Sequence, residues 1–188
     1  RAVRRSIVVA DLPFLTAHGS PAEAVRNAGR LVQEGGAHAV KVEGAGPVLP
    51  AIEAIVGAGI PVMGHLGLTP QSVHQLGGFR RQARTQEAAD KLLSDAATLE
   101  AAGAFAIVLE SIPDDLAAKV TKHVPVPTIG IGAGPHCDGQ VLVCYDLFGL
   151  TENPPPFAPP YLDLARQIRA TVETWGSEVR ERRFQGKR

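Results

Sequence analysis

Short apolar runs alternate with helix-patterned segments along most of this chain, and that alternation narrows the possible folds more than any other feature. The runs are Ser6–Ala10, Ala39–Val42, Ile60–Met63, Phe105–Leu109, Thr128–Ile131 and Gln140–Tyr145. Rich in β-branched residues and bounded by glycine, proline or an acid, they read as buried parallel strands. Strict strand–helix repetition implies a parallel sheet with right-handed crossovers. A barrel and an open doubly wound sheet both allow this order, and the glycine-rich ends of the late strands favour the barrel. A complete eight-stranded barrel takes about 250 residues, whereas this sequence has 188. The expected fold is therefore α/β, a (β/α)8 TIM-type barrel missing its first two strands and truncated at the N-terminus.

Helix signals stand between the runs. Ser20-Pro21-Ala22-Glu23 supplies a cap, a first-turn proline and the acid of a capping box, and Gly35-Gly36 ends that helix. A second helix covers roughly Leu49 to Val56. Thr69-Pro70 resembles another cap, the basic stretch from Gly77 to Arg84 reads as a loop, and Thr85 opens a long Ala-rich helix to Gly103. Pro113-Asp114-Asp115 starts a further helix. From Asn153 the prolines at 154–156 and 159–160 form a stiff linker. An amphipathic helix from Leu162 to about Phe184 follows, with Leu164, Ile168, Val172, Trp175 and Val179 at helical spacing. Residues 1–152 are thus expected to form the partial barrel. Residues 153–188 would be a linker and a helix that packs on the barrel or on a neighbouring subunit.

Composition adds limits. With 45% hydrophobic residues, 20% charged residues and zero formal net charge, the chain can build a sizeable core. The same balance removes the electrostatic case for nucleic acid as a partner. Cys137 and Cys144 match neither a C-x-x-C motif nor a paired zinc pattern and fit a reducing compartment. The sequence contains nothing close to the run of about 20 apolar residues that a membrane span needs. The basic start, Arg1 to Arg5, lacks the long apolar stretch of a signal peptide. Cytoplasmic localisation is the expectation.

Three of the runs stop at an acid: Asp11, Glu43 and Glu110. Carboxylates at the carboxyl ends of parallel strands face the mouth of an α/β fold, where ligands bind. Asp11 and Glu43 end consecutive strands, and two such oxygen donors with substrate and water complete a common Mg²⁺ shell. The plainer alternative makes Asp11 a turn cap before Pro13 and Glu43 a surface acid. Lys41, two residues before Glu43, shares its face and could hold an anionic substrate group or form a structural ion pair. Glu110 ends the most hydrophobic strand and suits general acid/base work, or it caps the helix near Pro113. His65 reads as a hydrogen-bonded structural residue, and His18, His38, His74, His123 and His136 show no ligand spacing. The run Gly130-Ile131-Gly132-Ala133-Gly134 allows close backbone approach and could bind an anion through its amides, but it is not a dinucleotide fingerprint.

Several segments, taken in order, resemble the ketopantoate hydroxymethyltransferase family. They are Val8-Val9-Ala10-Asp11-Leu12-Pro13-Phe14, Val40-Lys41-Val42-Glu43-Gly44, Gly64-His65-Leu66-Gly67-Leu68-Thr69-Pro70-Gln71-Ser72, Val108-Leu109-Glu110 and the stretch from Ile129 to Gln140. The resemblance covers about residues 6–150. It implies a (β/α)8 barrel that adds a hydroxymethyl group from 5,10-methylenetetrahydrofolate to 3-methyl-2-oxobutanoate through a Mg²⁺-stabilised enolate. It also implies a homo-oligomer, usually a decamer. By position, Asp11 resembles a metal ligand that also meets the keto acid, Glu43 the second acid of the metal site, Lys41 a substrate contact and Glu110 the catalytic proton acceptor. The family's first two strands, with a further Asp ligand and a substrate-binding Ser, have no counterpart here. The loop Phe79–Thr85 lacks the glycines usual around its second arginine. Two alternatives stand beside this: an inactive homologue serving as a structural or oligomerisation partner, and lyase or mutase chemistry on a related acid.

Overall fold

Six strands lie side by side in the order in which they occur in the chain, and every neighbouring pair is parallel. They are β1 (Val9–Asp11), β2 (Ala39–Glu43), β3 (Val62–Gly67), β4 (Ala106–Glu110), β5 (Thr128–Ile131) and β6 (Gly139–Gln140). A doubly wound sheet reverses its strand order at a switch point; this order has no reversal, which excludes that alternative and leaves the winding of a barrel. The computed structural model describes residues 3–184, in two compact units that divide between Val141 and Leu142.

In the first unit the helices are α1 (Pro21–Gln33), α2 (Leu49–Gly57), α3 (Gln86–Ala101) and α4 (Asp114–His123), with a 3-10 turn at Pro70–Ser72. The capping box forms as expected: Ser20 Oγ accepts from the Glu23 N–H, while Glu23 Oε2 accepts from the Ser20 N–H at 2.9 Å. Hydrogen bonds from the Ser20 backbone, and then from its hydroxyl, hold the Glu23 carboxyl below the usual carboxylate range. A depressed folded-state value means the cap stabilises the protein above the ordinary carboxylate range and loses that contribution as pH falls through the lowered value. Ser20→Ala is expected to lower the melting temperature by about 2–4 °C at neutral pH, measured by circular dichroism.

Period-two alternation divides each strand between two faces. Val40, Val42, Val62, Leu66, Ile107 and Leu109 are buried in one cluster with Ile52 and Ile55 of α2 and Ala96 and Leu99 of α3. Gly64 lies on this face beneath α3, where an added Cβ would stand 2.7 Å from Leu99 Cδ1. The intervening residues, Lys41, Glu43, Met63, His65, Val108 and Glu110, share the opposite face. Register aligns Asp11 with Lys41, Glu43 with His65, and Gly67 with Glu110. The strand expected to stop at Met63 instead runs on to Gly67, which puts His65 inside β3 rather than after it.

The expected last strand, Gln140–Tyr145, is corrected. Its ladder ends when the Val141 N–H bonds to Gly130 O, and Cys144–Leu147 turn into a short helix, α5. Val141 and Val143 stay half-exposed, so β-branched composition alone did not make a core strand. Asp146, expected at a strand end, is buried in α5 and accepts a 2.5 Å hydrogen bond from Thr151 Oγ1.

The second unit holds α5 and α6 (Leu164–Arg180), with Asp163 capping α6 through the Arg166 N–H. The start of α6 is tied to α5 by Tyr161 N–H to Leu147 O and Leu164 N–H to Phe148 O. Ile168, Val172, Trp175 and Val179 form a half-exposed stripe along α6, as their spacing required. Among the described residues no helix is long and apolar enough to cross a membrane.

Candidate active site at the carboxyl ends of the strands

Lys41 stands at the centre of a polar cluster built from β1 to β4. Its Nζ lies 3.4 Å from Asp11 Oδ1, 3.7 Å from Glu43 Oε1 and 3.0 Å from His65 Nδ1. An ammonium group can only donate. His65 Nδ1 therefore accepts, and the neutral ring carries its proton on Nε2. That nitrogen is 3.1 Å from Glu110 Oε2, yet it is not aligned with it and makes no hydrogen bond to any described residue. A continuous line of polar groups thus runs from Asp11 through Lys41 and His65 to Glu110. The strands expected to deliver three acids to one mouth do so.

Burial divides these groups by task. The side chain of Glu43 is 8% exposed, that of His65 3% and that of Glu110 14%, while that of Asp11 is 59% exposed. Glu43 is not a surface acid: its Oε1 faces Lys41 and His65, and its Oε2 accepts the backbone N–H of Gln71 at 2.9 Å. Glu110 is not a helix cap either. Pro113 occupies the N-cap of α4 without a side-chain bond, and Glu110 turns to the imidazole instead. Asp11 and Glu43 share one ammonium, and with Glu110 on the far side of the imidazole the cluster holds three acids against one lysine.

Gly67 makes the approach of β3 to β4 possible. At φ +92° its missing Cβ would collide with Glu110 O and come within 2.8 Å of Ile112 Cγ2. The next residue, Leu68, donates its N–H to that same Glu110 oxygen at 2.8 Å. The loop from Gly77 to Arg84 is also tied to the segment after Glu110. Arg81 Nη2 donates to Ile112 O and Asp114 Oδ1, and the Gln82 N–H donates to Ser111 O. The glycine run after β5 has a different use from the one its composition suggested: Gly134 packs against the Asp114 side chain, an anion of the chain itself.

The donor set suits a hard divalent cation. Asp11 and Glu43 both reach the one cationic atom between them, and a net negative cluster of oxygen donors is what Mg²⁺ takes, with substrate and water completing its shell. Among the described residues no three His, Cys, Asp or Glu side chains converge on a metal position. A cavity of about 620 Å³ lies at the other end of the strands, beside Ile7, His38, Pro61 and Phe105. Its lining lacks carboxylates, and the acid–base groups lie at the carboxyl ends instead, which is where barrels carry out their chemistry.

Two residues of this cluster were not legible from composition. His65 would have been found by extending β3 through its glycine, because period two then puts it on the Lys41 and Glu43 face. Gln71 had no signal beyond its place in the Gly64–Ser72 segment.

Known proteins share both the sequence and the fold. The family model for ketopantoate hydroxymethyltransferase matches residues 1–187. A 3-methyl-2-oxobutanoate hydroxymethyltransferase from Synechocystis sp. is 57% identical over 185 residues, 98% of this chain and 71% of that protein. One from Moorella thermoacetica is also 57% identical, over 98% of this chain and 69% of its own length. The crystal structure of a candidate phosphonomutase from Burkholderia cenocepacia J2315 superposes with a TM-score of 0.60 over 91% of this chain and 72% of that one. At 16% identity it speaks for the parallel α/β architecture alone. A profile match along nearly the whole length, together with relatives identical at more than half of all positions, leaves one assignment: this chain belongs to the ketopantoate hydroxymethyltransferase family.

Proposed function

We propose that this chain transfers a hydroxymethyl group from 5,10-methylenetetrahydrofolate to 3-methyl-2-oxobutanoate, giving 2-dehydropantoate. The observation that carries the reading is the 57% identity, over 98% of the chain, to proteins named for that activity. The polar line from Asp11 to Glu110 supports it, since the reaction needs an anion contact, a metal and a base in one place. Asp11 and Glu43 would hold Mg²⁺. When bound, the ion supplies Lewis-acid polarisation of the 2-keto acid.

The remaining steps belong to the chain's own side chains. Lys41, already positioned by two acids and an imidazole, offsets the charge of the substrate carboxylate. Water opens the methylene bridge of the folate, breaking both C–N bonds and leaving tetrahydrofolate and a one-carbon unit at the formaldehyde level. Glu110 accepts the C3 proton, the carbon freed of it attacks the carbonyl carbon of that unit, and the carbonyl oxygen takes up the proton as the new hydroxyl. The Glu110 carboxylate comes from a strand walled by buried Ile107, Val108 and Leu109, where water competes weakly for it. His65 holds Lys41 through Nδ1 and sets Nε2 beside the Glu110 carboxylate at 3.1 Å.

The fold reading that goes with this function is a (β/α)8 barrel of which the sequence supplies six strands. Sequential parallel order supports it, as do the 71% and 69% shares of the relatives' lengths. The half-exposed stripe on α6 supports a homo-oligomer in which that helix is covered. The test is turnover of 3-methyl-2-oxobutanoate with methylenetetrahydrofolate. Activity is expected to vanish on chelation by EDTA, to return with Mg²⁺, and to fall at least tenfold in Asp11→Asn. Absence of turnover in the unmodified protein, or full activity in EDTA, overturns the assignment.

A further inference from the structure

The segment Leu68-Thr69-Pro70-Gln71-Ser72 contributes no acid, base or metal donor, yet it lies against the site. Gln71 is the second residue of the 3-10 turn that Pro70 opens, so its backbone N–H has no partner within that turn. This N–H points at Glu43 Oε2 and bonds to it at 2.9 Å. The side chain reaches the other way: Nε2 donates to Leu12 O at 2.8 Å, and Leu12 directly follows Asp11. A carbonyl can only accept, which settles the orientation of the amide. Gln71 thereby joins the ends of two strands to which it is adjacent in neither sequence nor sheet.

β1 needs such a tie. It is three residues long, pairs with β2 among the described residues, and its last ladder bond there is the Leu12 N–H to Lys41 O at 3.0 Å. Asp11 is largely exposed, and among the charged groups of the described residues it touches Lys41. Loss of the bond at Leu12 O loosens the chain just past its last ladder bond to β2, and with it the carboxylate of Asp11 relative to that of Glu43.

We propose that Gln71 is a positioning residue that sets the distance between the two acids, holding Glu43 by its backbone and the Asp11 strand end by its side chain. This rests on the reading of Asp11 and Glu43 as the metal and keto-acid contacts. Gln71→Met keeps the length of the side chain and removes the donor; Gln71→Ala removes both. In both variants the backbone bond to Glu43 persists.

Two measurements on the full chain decide the matter. Amide hydrogen exchange is expected to accelerate at Leu12 in both variants, while Gly44, whose N–H bonds to His65 O, keeps its protection. Calorimetric titration with Mg²⁺ and 3-methyl-2-oxobutanoate is expected to show affinity weakened about five- to tenfold, equally in both variants. Unchanged exchange at Leu12 overturns the proposal. Faster exchange with unchanged affinity overturns the positioning role and leaves only a brace. If the unmodified chain shows no metal-dependent binding, the assignment of the two acids fails, and the exchange result still decides whether Gln71 ties the strand ends.

Discussion

Glu110→Gln is expected to lower kcat by about 10²–10⁴-fold with little change in melting temperature. The amide has the shape of the carboxylate and fits the same place between the β4 backbone and His65, but it cannot accept a proton. The carboxylate lies 3.1 Å from His65 Nε2 and is not one of the groups around Lys41, so its loss leaves the Asp11–Lys41–Glu43 contacts intact. Binding of the keto acid should accordingly persist while turnover collapses. Steady-state kinetics read the loss, and calorimetry with the keto acid and Mg²⁺ reads the binding. A variant that keeps a tenth or more of the parent's kcat would move the base elsewhere.

Gly67→Ala is expected to destabilise the first unit by about 3–5 kcal/mol, lowering the melting temperature by roughly 10 °C, and to remove activity in whatever remains folded. Two costs add. At φ +92° a side chain is strained whatever the space, and the new methyl meets Glu110 O and Ile112 Cγ2. Relief requires β3 and β4 to part at the bond between the Leu68 N–H and Glu110 O, at the residue whose carboxylate we propose as the base. Gly29→Ala is the control. That residue lies within α1 with nothing within 4 Å of an added Cβ, and the substitution should stabilise by about 0.5–1 kcal/mol. Thermal melts of the two variants against the parent test both signs. A Gly67→Ala protein that melts with the parent would mean that the two strands can separate without cost.

Much of the molecule was legible in its residues because the signals were local. Ser20, Pro21 and Glu23 carry the start of α1 within one turn, and the bonds seen there are the ones their spacing implies. The strand ends at Asp11, Glu43 and Glu110 follow from short apolar runs that stop at a charge. Legibility failed where composition and context disagree. Val141, Val143 and Tyr145 have strand-forming side chains, yet the ladder ends at Val141 and the chain turns into α5. Conversely, Gly64 and Gly67 argue against a strand by propensity, but β3 keeps both because α3 packs over the first and β4 presses on the second.

Three acids, one lysine and a parallel order of strands are properties of the chain as written. They rest on period-two alternation and short-range capping, which act within a few residues. That Lys41 lies among Asp11, Glu43 and His65, that Glu110 faces the imidazole instead of capping α4, and that Gln71 ties two strand ends are properties of the register between strands. Apart from Lys41 with Glu43, such contacts join residues 24 to 59 positions apart, and only packing of the helices against one face of the sheet sets which side chains meet on the other.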